Sequence, residues 1–453
     1  MDPLQDIYDH IDAHADEYVR DLQTLVRQPS VSAQNLGLRE CAELVLAIMR
    51  ADGLDAHLHE LDGGPPVITG HMTTPRSART MLCYSHYDVQ PPEPLDAWIH
   101  PPWSAAIVDG VMYGRGCSDN KSGILAFNKA AQAFLRVRGE LPVNLKFIIE
   151  GEEEIGSVHL GPWVERHTDL LAADGMHCLD GPVDSTTGLP DVDLGLKSVL
   201  FVELIARGAN SDIHSLNFPL LPAPVWDLVR ALNTIMDENR RILVEGWYDG
   251  LYALQDEDYA QLEDKLRRVN LDDWKREWGI DSFALGRDGV EALRARSYEP
   301  TANIAGIVGG YTGPGAKTIV PNEAQAKMDF RLPPDLNPQD AMRKLRAHLD
   351  KHGFAHVEAR FEATAEPPYK ISVKEPMAQA IIAAATKLYG QPPLVNGVSA
   401  EGTILRHVWI PCVLTGFASA GANLHAPNEN IRLDTYIQGI KYAATIMDEF
   451  GRS

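Results

Sequence analysis

An α/β fold is predicted, with a mixed, mostly parallel sheet and an inserted α+β domain. Three observations predict it. Apolar strand-like runs alternate with amphipathic helical stretches through the first 187 residues. The pattern changes after about Gly188 to the order strand–helix–strand–strand–helix–strand, which is ferredoxin-like. Helix and strand signals of the first kind resume after about residue 371. A chain of 453 residues is also too long for one compact core. The expected parts are therefore 1–187, 188–370 and 371–453, the first and third forming one domain.

Element by element, residues near 5–28 carry apolar positions at helical spacing. "LRECAELVLAIMRADG" is a second helix, ended by Gly53. "PPVITGHM", "RTMLCYS", "NLKFIIE" and "GMHCLD" are strands, and "SGILAFNKAAQAFLRVRG" is a helix closed by Gly139. In the insert, "KSVLFVELIARG", "TANIAGIVGG", "NEAQAKMDFRLPP" and "HVEARFEA" are strands. "PAPVWDLVRALNTIMDE" and "PQDAMRKLRAHLDKHG" are its helices, and 239–298 is polar and helix-rich. "PMAQAIIAAATKLYG" and "IPCVLTGF" return to the first domain as helix and strand.

Composition narrows the function. Hydrophobic residues make up 45% and charged residues 23%, as in soluble globular chains. The net charge of −22 argues against nucleic acid, whose phosphates call for a basic footprint, and against an anionic membrane surface. No apolar run reaches the roughly eighteen residues of a membrane span. The N-terminus is acidic and lacks the basic start and apolar run of a signal peptide. The five cysteines are scattered without a CxxC pair, which fits free thiols and an expected cytoplasmic location.

Acids and histidines follow the strand-like runs in five places: "SHYDVQPP" with His86 and Asp88, "GRGCSDNKSG" with Asp119, "EGEEEIGS" with Glu153 and Glu154, "CLDG" with Asp180, and "NLHAPNEN" with His425. A lone aspartate after a strand is ordinarily a turn or a helix cap. Together, these residues fall where a parallel sheet gathers its loops. Carboxylates and imidazoles without thiolate suit zinc, manganese or cobalt, and their number suggests two ions. Two ions about 3.5–4 Å apart, bridged by a carboxylate, hold a hydroxide and polarise a carbonyl. A further carboxylate must then move the proton.

These motifs resemble the signatures of the M-twenty family of di-zinc metallopeptidases. That family includes carnosine-type dipeptidases, aminoacylases, acetylornithine deacetylase and succinyl-diaminopimelate desuccinylase. The resemblance runs in order along nearly the whole chain and is closest to the carnosine dipeptidase-like branch. It implies a zinc-peptidase catalytic domain with an inserted lid and dimerisation domain. By position it implies His86, Asp119 and Asp180 on a first ion, and Asp119, Glu154 and His425 on a second. Asp88 would orient His86 through the ring's second nitrogen. Glu153 would be general base and acid. The family often has a cis peptide after the bridging aspartate, here Asp119–Asn120. In a homodimer, His214 of "SDIHSLNF" would reach the neighbouring subunit's site and help hold the oxyanion. Arg331 of "DFRLPP" would clamp the substrate's carboxylate.

The expected activity is hydrolysis of a peptide bond in dipeptides or similar small peptides, by metal-bound hydroxide with a glutamate base. The cofactors would be two divalent ions, zinc first, with manganese or cobalt as alternatives. An N-acyl-amino-acid deacylase would use the same metals, and a non-catalytic binding relative would have lost them. One departure stands out: Glu401 in "VSAEGTIL" replaces a glycine of the branch's Gly-Gly-Ser/Thr-Ile turn. A carboxylate pointing inward there would repel a substrate carboxylate and favour a basic or amidated C-terminal part. Glu150 and Glu152 are assigned no role beyond turn or supporting residues.

Overall fold

The computed structural model describes all residues except 1–2, 182, 185–186, 362–366, 400–409 and 420. Its central sheet has eight strands: β1 Asp55–His59, β2 Val67–Met72, β3 Thr80–His86, β4 Asn144–Glu150, β5 Gly175–Leu179, β6 Asp191–Asp193, β7 Leu394–Asn396 and β8 Cys412–Thr415. They lie in the order β1–β2–β4–β3–β5–β8–β6–β7. β3 runs parallel to β4 and β5, β5 to β8, and β6 to β7. The β1/β2, β2/β4 and β6/β8 pairs are antiparallel, so the sheet is mixed and mostly parallel. β3 and β5 are central and covered on both faces, which is why they read as continuous apolar runs.

Three long helices cover one face: α1 Lys121–Arg138, α2 Pro376–Tyr389 and α3 Leu433–Arg452. Phe127, Phe134, Ile381 and Ile440 lie in that core. Gly139 ends α1 with φ +73°, the left-handed cap that glycine adopts without Cβ strain. Leu160, Trp163 and Val164 pack on the opposite face. Residues 5–28 form two helices, Gln5–Ala13 and Ala15–Arg27, broken at His14.

A second sheet is antiparallel throughout. Its order is Thr301–Gly309, Glu323–Leu332, Ser198–Arg207, Glu358–Phe361, and the helices Pro224–Ile235 and Pro338–Lys351 accompany it. This is the strand order of a ferredoxin-like unit. It has its own core of Leu200, Leu204, Phe330, Leu345 and Leu349. Two crossings join the sheets, where Gly195–Leu196 pairs with Tyr369–Lys370.

The helix-rich segment of the insert also packs against the edge of the central sheet. Helices Asp256–Arg268, Leu271–Trp278 and Gly289–Tyr298 form a small core with Val398, just beyond β7. Lys265 donates to Asn396 of β7 at 2.6 Å. The first two of these polar helices have an apolar stripe to bury, and Leu293 and Tyr298 of the third join them. The edge of the central sheet supplies a partner, and in return the helices cover that edge. Among the described residues, no helix is long and apolar enough to cross a membrane.

Candidate metal centre

Because β3, β4 and β5 are parallel, their carboxyl ends share one side of the sheet. β3 ends on His86, which sits opposite Glu150 at the end of β4, and Asp180 directly follows β5. Asp119 and Asn120 precede α1, and the peptide between them is cis. Gly123 allows the start of α1 to approach the sheet: a Cβ there would lie 2.4 Å from the Leu179 carbonyl oxygen.

The side chains converge on two points. His86 Nε2 lies 3.1 Å from Asp119 Oδ1 and 3.3 Å from Asp180 Oδ2. His425 Nε2 lies 2.9 Å from Asp119 Oδ2 and 3.3 Å from Glu154 Oε2. Each triad is compact enough to hold one ion, and Asp119 belongs to both through different oxygens. Glu153 Oε2 stands 4.0 Å from His86 Nε2 and joins neither triad. His86 Nε2 is fully buried and makes no well-formed hydrogen bond despite its two carboxylate neighbours. His425 Nε2 does hydrogen-bond Asp119 Oδ2, but His86 Nε2, buried and unsatisfied between two carboxylates, fits a cation.

Electrostatics agree with that fit. Burial pushes the Glu153 carboxyl well above its ordinary range, and Asp180, Glu154 and Asp119 push it further against the pull of His86. Glu154 is pushed up to about 9, first by burial and then by Asp119. Burial opposes a charge on His86, but the surrounding carboxylates of Asp119, Asp180 and Asp88 outweigh it and raise its pKa well above the usual value. Among the described residues, no lysine or arginine pairs with Asp119, Glu153, Glu154 or Asp180. A divalent cation supplies the missing positive charge and favours the ionised carboxylates.

The other glutamates of this turn separate. Glu150 is buried and accepts from Tyr84 Oη at 2.6 Å and Ser157 Oγ at 2.8 Å. Burial raises its pKa to about 8. Glu152 faces away and pairs with His159 Nδ1 at 2.7 Å. Asp88 does more than orient a ring. His86 Nδ1 donates to the Asp88 backbone carbonyl at 3.1 Å, with the Asp88 carboxylate at 3.4 Å. That carboxylate accepts from the amides of Glu153 and Glu154, each at 3.1 Å, and so holds their turn beside His86.

Three residues that sequence reasoning missed brace the centre. The Gln90 amide and side chain both donate to the Glu154 carboxylate, at 3.1 and 2.8 Å. Arg115 and Glu429 form a buried ion pair of 2.8 Å beside Asp119. All three lie inside or next to the quoted motifs, which was the available signal.

His214 and Arg331 lie on the second sheet's side of the molecule. His214 is exposed, and its Nδ1 accepts from the Leu216 amide at 3.1 Å. Arg331 sits on Glu323–Leu332, opposite Thr301 and Val199. Neither joins the metal triads within the chain. Glu401 lies outside the described residues.

Residues 82–449 match the family model described as "Peptidase family M20/M25/M40". The human Beta-Ala-His dipeptidase is 27% identical over 474 residues, which span 99% of this chain and 93% of the relative. The Cys-Gly metallodipeptidase dug1 of Schizosaccharomyces pombe is 28% identical over 478 residues, 98% of each. The crystal structure of an M20 family metallo-carboxypeptidase, Sso-CP2 from Sulfolobus solfataricus, is 33% identical. It superposes with a TM-score of 0.88, covering 96% of this chain and 100% of that one.

Proposed function

The chain belongs to Peptidase family M20/M25/M40, and on that premise we propose that it hydrolyses dipeptides or similar small peptides at a two-ion centre. The observation that carries this reading is the pair of triads sharing Asp119, with Glu153 beside them but outside both. His86, Asp119 and Asp180 would hold one divalent ion, and Asp119, Glu154 and His425 the other. Zinc is the first choice, with manganese or cobalt as alternatives. When bound, such ions polarise the scissile carbonyl and acidify a water.

The remaining steps belong to the chain's own side chains. Glu153 Oε2 takes a proton from the attacking water and delivers it to the departing amine nitrogen. Asp88 keeps the Glu153 and Glu154 amides fixed to the His86 strand end. Arg331 offers a planar fork for the substrate's terminal carboxylate. Residues 188–370 would act as lid and dimerisation domain, with His214 entering the partner's site to help hold the oxyanion. The exposed edge strand Thr301–Gly309 supports dimerisation, since it leaves Ile304, Ile307 and Val308 uncovered beside Trp226. The buried, unpaired cysteines agree with a cytoplasmic setting.

The dipeptidase relatives favour dipeptides. The likeness to a metallo-carboxypeptidase favours a second reading, removal of the C-terminal residue from longer or blocked peptides. A substrate panel separates them: free dipeptides, N-blocked dipeptides, N-acetyl amino acids and N-succinyl amino acids, each with zinc, manganese and cobalt. Cleavage of free dipeptides is the expected result. Cleavage of N-blocked dipeptides alone points to the carboxypeptidase reading. Hydrolysis of acylated amino acids without any dipeptide cleavage overturns the peptidase reading in favour of a deacylase.

A further inference from the structure

The bridging aspartate has to present two oxygens in two directions, so the backbone beneath it must not rotate. Glu429 lies under that backbone. Its carboxylate is 1% exposed and is engaged on both oxygens. Oε1 accepts from the amides of Ser118 at 3.0 Å and Asp119 at 3.1 Å. Oε2 accepts from Gly116 N at 2.9 Å and Arg115 Nη1 at 2.8 Å. Three backbone N–H groups and a guanidinium thus converge on one buried anion, an arrangement that is strong because it is charge-assisted.

Glu429 is also four residues from His425, on the loop that brings the second imidazole to the centre. That loop holds Asn423, His425 and Asn428 at positive φ, a conformation that a surrounding frame must impose. The frame is visible. The Gly114 amide donates to the Glu429 carbonyl at 3.0 Å, and Ser118 Oγ donates to the Asn430 carbonyl at 2.8 Å. Asn428 accepts from the Ile99 amide at 2.6 Å and donates to the Ala97 carbonyl at 3.0 Å.

We infer that Glu429 is a positioning residue that locks the Asp119 loop to the His425 loop, so that the two ion sites are held in alignment across Asp119. The inference rests on the two-ion reading above. Without this carboxylate, Asp119 can still bond one ion, but its second oxygen loses its fixed relation to His425.

The test is a zinc titration of full-length, chelator-stripped protein, followed by calorimetry, for the wild type and Glu429→Gln. Visible spectra of the cobalt-loaded proteins accompany it. Glutamine keeps the shape but turns an NH2 group toward N–H donors. The variant should bind zinc about 10–100-fold more weakly, the usual effect of removing a residue that orients a ligand. Its cobalt spectrum should also change, because the ligand field at Asp119 changes. Zinc affinity and a cobalt spectrum both equal to wild type would overturn the inference, even if the variant melts earlier. If Glu429→Gln fails to fold, Arg115→Met with Glu429→Gln removes both charges together, which proteins tolerate better than losing one. That double variant should still show weakened zinc binding, and wild-type affinity would overturn the inference. A wild-type protein that takes up no zinc or cobalt would instead overturn the two-ion reading itself.

Discussion

The two candidate metal triads share Asp119 and little else. The His86 half is built on strand ends. His86 closes β3 with no exposed side-chain surface, its second nitrogen is held by the Asp88 carbonyl, and Asp180 follows β5. The His425 half is built on loops. His425 has positive φ, and its side chain is 56% exposed. Strand ends are fixed by ladder hydrogen bonds on both sides, whereas a loop is fixed only by the side chains that pin it. The first half should therefore be preformed, and the second should depend on Gln90, Asn428 and Glu429.

The largest effect should come from what the halves share. Asp119→Ala should lose both ions and all detectable turnover, as measured by elemental analysis and a peptidase assay. Retention of one tightly bound ion would show that the halves are separate sites. Glu153→Gln should keep both ions yet lower kcat about 10²–10⁴-fold, because it removes only proton transfer. Wild-type turnover in that variant would remove Glu153 from the mechanism.

Next comes the contrast itself. In the presence of chelator, His86→Ala should cost about 3–5 kcal/mol in urea unfolding, since it strips the buried acids of their counter-charge. His425→Ala, at an exposed site, should stay within about 0.5 kcal/mol of the wild type. Equal costs would refute the preformed-versus-pinned distinction. A further effect depends on pH and concerns Glu150, behind His86. Its folded pKa of about 8 is raised above the ordinary 4.5, so the folded state holds the proton more tightly. The associated stability is fully present below about pH 4.5 and is lost as pH rises to about 8. Metal-free Glu150→Gln should therefore gain on the wild type across that window and match it at pH 4. A constant difference at every pH would contradict the burial argument.

Much of the site was legible in the sequence because His86, Asp180 and the glutamate turn fall directly after apolar runs, and the motifs around Asp119 and His425 carry the family resemblance. His86, Asp119, Glu154, Asp180 and His425 were singled out from motifs, and the structure brings all five together. Less legible was anything set by contacts between distant segments. Nothing local marks Glu429 as buried, because its partners Arg115, Gly116, Ser118 and Asp119 lie more than three hundred residues earlier. The resemblance implied that Asp88 orients His86; both its carbonyl and its carboxylate lie beside His86 Nδ1, and the carboxylate also holds the glutamate turn, a contact no local pattern marks. The short strands β6 and β7 went unread because three residues carry no usable alternation. The stretch 239–298 read only as polar and helix-rich, and the docking of its helices on Val398 depends on an edge the local sequence does not describe.

The central claim is a pair of unequal ion sites joined by Asp119. Its most direct test is titration of the metal-free, full-length protein with zinc, read by calorimetry and native mass spectrometry. Two ions per chain are expected, the tighter one lost on His86→Ala and only the weaker one on His425→Ala, with Asp119→Ala binding neither. One ion per chain, or two ions surviving Asp119→Ala, would contradict it.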